Sequence, residues 1–249
     1  MNAMSRICGV ALVVAGVCTG AASPAAAATI SITQSVGSLY TTTGISPTIT
    51  NGNNMDGMRI TAVLSNGSSV TTLTQLWTDS ATPDTGGVSF ITPQFALSVT
   101  GDSFEANNWL LDTTNIGSWH LLSLTFDGST GQTVFDRAFG GSVGTPNSAS
   151  GRDFGGFLSF GGSISALYTN IVAISGSAPV GDIFANVLLT FGDGTFANGL
   201  SGGRQYRFSL DTDTAASTLA PEPGSMVLLG TGLIALAIGL RRARLAHTR

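Results

Sequence analysis

Residues 58–78 read MRITAVLSNGSSVTTLTQLWT. Asn66-Gly67 lies between two runs rich in Val, Ile, Thr and Leu, and Asn-Gly tolerates the positive φ that a tight hairpin turn demands. The stretch predicts strands at 57–64 and 69–78 joined by that turn. The same vocabulary continues outward on both sides. From Thr29 the text is Thr, Ser, Val, Ile, Leu, Phe and Gly, without a helical period of convincing length until the C-terminal end. Further strands are expected at 29–34, 94–100, 104–111, 119–126, 132–136, 164–174, 183–191 and 205–210. Asn-Gly or Asp-Gly recurs at 51–52, 56–57, 127–128, 193–194 and 198–199, where turns are needed.

Alternation assigns faces. In 118–126, His120, Leu122, Leu124 and Phe126 share one face, read as core, while Trp119, Leu121, Ser123 and Thr125 share the other. Residues 183–191 are apolar on both faces, as a central strand requires. Strands at this spacing with no helices between them predict an all-β fold, a two-sheet β-sandwich of jelly-roll type. A β-solenoid is the alternative, but no fixed repeat period supports it. Residues 139–163 hold eight glycines and read as a surface loop or glycine-kinked edge strands. Residues 211–220, DTDTAASTLA, read as a flexible stem.

The two ends have a different composition. Arg6, the apolar run 7–17 and Ala26-Ala27-Ala28 have the order of a secretory signal peptide, 1–28. Both cysteines, Cys8 and Cys18, fall inside it, so the β-domain expected at 29–210 has no disulfide and no thiolate ligand. Residues 29–220 carry thirteen acidic side chains against five arginines, a net charge of −8, and the chain has no lysine. Such a domain repels phosphate backbones, which argues against nucleic-acid binding. At 221–249, Pro221-Glu222-Pro223 is followed by an uncharged run, 226–240, and then by Arg241, Arg242 and Arg244. As a helix from 224 to 240 this run covers roughly 25 Å, short of a bilayer core of about 30 Å, so it reads as a temporary anchor.

That tripartite tail resembles the PEP-CTERM sorting signal of bacterial exported proteins. The resemblance rests on Pro221, Glu222, Pro223, the apolar run, and Arg241, Arg242 and Arg244, and it covers about the last thirty residues. It implies a membrane-embedded exosortase as partner, cleavage near Pro-Glu-Pro, transient inner-membrane anchoring and delivery to the cell surface or extracellular matrix. It also implies association with exopolysaccharide and biofilm.

Inside the β-domain no catalytic set stands out. His120 is the one histidine outside the tail, no G-x-S-x-G elbow is present, and Glu105 is the one glutamate before Glu222. Asp112 is expected on the opposite face of Glu105's strand, a poor arrangement for paired-carboxylate hydrolysis. Asp79 and Asp84 in the 78–87 loop, and Asp211 with Asp213, are oxygen-rich spots of the kind that hold Ca²⁺, although isolated aspartates in turns more often bond their own backbone. Asn107, Asn108 and Trp109 pair amides with a flat aromatic, the chemistry of a carbohydrate site. The expectation is a non-enzymatic surface or matrix protein without cofactor or metal, with a carbohydrate-binding module as alternative and a secreted hydrolase behind that.

Overall fold

The computed structural model describes residues 28–138, 150–156, 161–175, 177–195, 197–217 and 219–221. The expected signal peptide (but for Ala28), most of the glycine-rich stretch, and everything after Pro221 lie outside the described residues. So the expected apolar C-terminal helix and Glu222, Pro223, Arg241, Arg242 and Arg244 have no structural description here.

The chain is all-β, and among the described residues its helical content is two 3-10 turns, Gly52–Met55 and Gly128–Thr130. Strands β1 (Thr29–Gln34), β2 (Tyr40–Thr42), β3 (Arg59–Ser65) and β4 (Val70–Leu76) open a ten-stranded sheet. The chain then crosses into a five-stranded sheet through β5 (Thr78–Asp79), β6 (Thr85–Ile91), β7 (Gln94–Thr100) and β8 (Trp109–Asp112), a plain meander. It returns to the first sheet for β9 (His120–Asp127), β10 (Thr133–Asp136), β11 (Ser163–Ile174) and β12 (Ile183–Phe191). A last excursion places β13 (Gln205–Phe208) beside β8, before β14 (Thr212–Thr214) and β15 (Ala220–Pro221) rejoin the first sheet. The first sheet runs β15-β2-β11-β12-β9-β3-β4, with β1 parallel on β11 and β10 linking β12 to β14.

One core lies between the sheets. Ile60, Ala62, Leu64, Leu124, Phe126, Val187 and Leu189 of the first meet Val88, Phe90, Leu97, Val99, Leu111 and Phe208 of the second. Trp109 sits among them, its ring 5.5 Å from Trp77, 5.6 Å from Phe126 and 5.5 Å from Phe208. A smaller core covers the other face at one end of the first sheet, where Val134, Val172, Ile174, Ile183 and Ala185 are capped by Ile45, Ala215 and Leu219. That is why 183–191 is apolar on both faces.

Four departures from expectation have local causes. The register of β3 on β9 shifts between Val63 and Leu64, so Ser123 and Leu121 pair with consecutive residues. This bulge reverses the alternation beyond it: Leu121 is fully buried while His120 is half-buried, the opposite of the expected faces. The strand expected at 104–111 begins only at Trp109, because Asp102 turns the chain by accepting from the Phe104 amide and Asn107 takes a left-handed φ of 66°. β6 was hidden by Gly86-Gly87, which reads as loop in sequence. A Cβ on Gly86 would lie 2.0 Å from the Gly52 carbonyl oxygen, so this strand needs glycine for close approach. Finally, 211–220 is no flexible stem where it is described: β14 pairs with β10, and Asp211, Thr212, Ala215 and Leu219 are buried.

Candidate functional site

The C-terminal segment is built in from the inside outward. Thr212 is buried and its hydroxyl lies 2.8 Å from that of Ser103, Ala215 donates its amide to the Gln132 carbonyl, and Leu219 closes the smaller core. Ala220 and Pro221 then pair antiparallel with Thr41 and Tyr40 of β2. The first residue of Pro-Glu-Pro is therefore already part of the sheet. Proline has no amide to donate, which suits an edge position.

Beside this segment lies a cavity of about 380 Å³, lined by the 46–50 turn together with Phe104, Ser150, Asp102, Asp136, Asp211 and Asp213. Burial, then the carboxylates of Asp213, Asp136 and Asp102, push Asp211 up to about 8, against the pull of the Arg152 backbone amide. At neutral pH the Asp211 carboxyl is thus held largely protonated. Arg152 arches over the Phe104 ring at 4.5 Å and donates to the Phe104 carbonyl. Among the described residues no group of three or more His, Cys, Asp or Glu side chains is disposed to hold a metal ion.

The expected sugar cluster is dispersed. Trp109 is fully buried, its Nε1 donating to the Leu210 carbonyl at 2.7 Å, so neither ring face is open to a ligand. Asn108 donates to the Asp102 carbonyl at 2.7 Å, and the Asn107 backbone is held by Ser209 and Arg207. The packing that buries Trp109 comes from Trp77, Phe126, Phe208 and Leu210, elsewhere in the chain and up to about a hundred positions away, which no local pattern reveals. The acidic candidates also serve local structure. Asp84, at φ 58°, accepts from Asn51, and Glu105 is exposed in the turn before β8. Burial pushes Asp112 up, but hydrogen bonds from Thr114 and Gln205 outweigh it and hold the carboxyl below its usual range.

Sequence reasoning missed a broader feature, the outer face of the first sheet. Register aligns Thr74, Thr61, Thr125, Leu188, Leu167 and Thr33 in one row across β4, β3, β9, β12, β11 and β1. The next row holds Thr72, Val63, Ser123, Thr190, Ser165 and Ser31. Every one of these twelve is half-buried or exposed. The face is hydroxyl-rich, and the charges beside it, Arg59 and Asp127, are paired with each other.

No curated protein and no solved structure matches the chain. Residues 219–243 match the family described as the PEP-CTERM protein-sorting motif, and that motif, begun on the strand β15, is what the C-terminus of this chain carries.

Proposed function

We propose that the chain is an exported, non-enzymatic protein of the cell surface or extracellular matrix, handled at its C-terminus by an exosortase-type sorting enzyme. The observation that carries this reading is the sorting motif at 219–243 standing directly against an all-β domain. The apolar run and arginines behind Pro-Glu-Pro would hold the chain briefly at the inner membrane. Retention among exopolysaccharide, as in a biofilm, follows from the delivery route. The two sheets over a shared core support a sandwich, and the chain's four crossings between them are the support for a jelly-roll winding. Mass spectrometry of the protein recovered from the cell surface tests the reading. Chains lacking everything after the Pro-Glu-Pro region are expected; intact chains through Arg249 would leave a plain membrane anchor.

A carbohydrate-binding role is the second reading, and the hydroxyl rows of the outer face favour it over the Asn107–Trp109 cluster. Neutral polysaccharide suits a face without free charge. Thr61→Glu alone, which places no like charge opposite it, should sharply weaken binding to the native matrix polymer, with thermal unfolding checking that the variant is folded; unchanged binding would remove this face from consideration.

A further inference from the structure

The ten-stranded sheet ends on β4, and among the described residues no strand lies beyond it. Its phase is set by the hairpin: Asn66 donates to the Ser69 carbonyl at one end, and Trp77 donates to the Met58 carbonyl at the other. Counting between these bonded pairs, Val70, Thr72, Thr74 and Leu76 turn their N–H and C=O groups away from β3. Four residues of backbone thus present an open ladder.

Proteins blunt such edges with charge, proline, bulges or short length. Most other edges here are blunted or short: β15 brings Pro221, β5 is two residues long, β13 carries Arg207, β14 carries Asp213, and β6 is uncovered only over its last four residues. β1, TISITQ, is a second charge-free edge, but its Ile30 and Ile32 are half-buried and it bears no large exposed apolar side chain. β4 has seven residues, VTTLTQL, with no charge, proline or glycine. It also bears two large exposed apolar side chains, Val70 at 65% and Leu76 at 56%.

We infer that β4 is a self-pairing edge, through which two copies of this chain join antiparallel about a two-fold axis at Leu73. In that register Val70 faces Leu76 and Thr72 faces Thr74, which are the four outward-bonding residues, giving roughly eight new ladder bonds. The exposed apolar pair is covered, and Leu73 meets its own copy on the core side, where it already packs. Charge decides between self and foreign partners. A two-fold contact sets a surface against itself, so any charge would meet its like. In a domain of net charge −8 over 29–220, β4 is a charge-free strip, and its neighbour Arg59 is closed onto Asp127. Seven residues a side is well below the 20–30 of a stable complex, so association is concentration-dependent and suits a crowded surface.

Sedimentation velocity of the full chain in mild detergent, over a concentration series, tests this. A monomer–dimer equilibrium is expected. Thr72→Lys with Thr74→Lys sets lysines opposite each other and should raise the dissociation constant roughly tenfold or more, like charges directly opposite being destabilising. Thr72→Pro removes one outward donor without touching a bond to β3 and should weaken the dimer too. Thr125→Lys, two strands inside the same face, should leave it unchanged, and thermal unfolding checks that each variant is folded. A monomer at every concentration overturns the inference. So does a dimer indifferent to the β4 variants, or a monomer that gains mass only when matrix polysaccharide is added.

Discussion

Trp109 is enclosed by Trp77, Phe126 and Phe208, and its indole N–H satisfies a buried carbonyl. Trp109→Ala is expected to cost about 3–5 kcal/mol in urea unfolding through the cavity it leaves. A loss of that size without any change in polysaccharide binding would identify the residue as purely structural. Gly86 acts by having no side chain. Its backbone rests against Gly52 and the Trp77 ring, and Gly86→Ala should cost roughly 2–3 kcal/mol from overpacking. Asp211 makes stability depend on pH. Its folded pKa of about 8 lies above the ordinary 3.8, so between these values the folded chain holds a proton that the unfolded chain has released. The stabilisation is complete below about pH 4 and is lost as pH rises to about 8. Asp211→Asn should flatten that decline, with urea midpoints at about pH 5 and about pH 9 as the measurement. A decline just as steep in the variant would place its origin elsewhere.

β11 is the element on which the N-terminal strands are ordered. β1 pairs with its first half and β2 with its last three residues, both parallel. Between them stands Asn170 at φ 63°, accepting from the Ser38 amide and donating to Asn186 at 2.7 Å. Asn170→Ala loses both bonds and strains the backbone, for a cost of about 2–3 kcal/mol readable in thermal unfolding. Such handovers are hard to see in sequence. β1, β7 and β12 are found where alternation and composition expect them, because each is continuous and bounded by turn residues. β2 was not expected: three residues carry too little pattern, and its place depends on a strand more than a hundred positions later. The faces of β9 were legible only up to the bulge, since an unpaired residue leaves no mark in a single strand's text. The sorting motif was legible whole, because it is written in composition and order and needs no packing. The sugar cluster was not, because burial of Trp109 is a property of the assembled core.

At the scale of the molecule, the two sheets and the sorting motif are not separable parts. Thr212–Thr214 and Ala220–Pro221 lie on the first sheet, and Ala215 and Leu219 seal its smaller core, so the domain reaches past Leu210 to the motif itself. A chain ending at Leu210 should unfold roughly 10 °C or more below one ending at Pro221, given the loss of β14 and of the buried Ala215 and Leu219. Equal melting temperatures would mean that the segment contributes no stability. The pairing of Pro221 with Tyr40 also sets a length. Four residues separate Pro221 from Met226, where the uncharged run begins, and the five Cα-to-Cα steps span at most about 17 Å. On the proposed route, with that run held at a bilayer, the β2 edge would be leashed close to the headgroups with little room to swivel. An enzyme that cut the chain there on that route would have to work in a gap not much wider than a single β-sheet layer, with a folded domain as its ceiling.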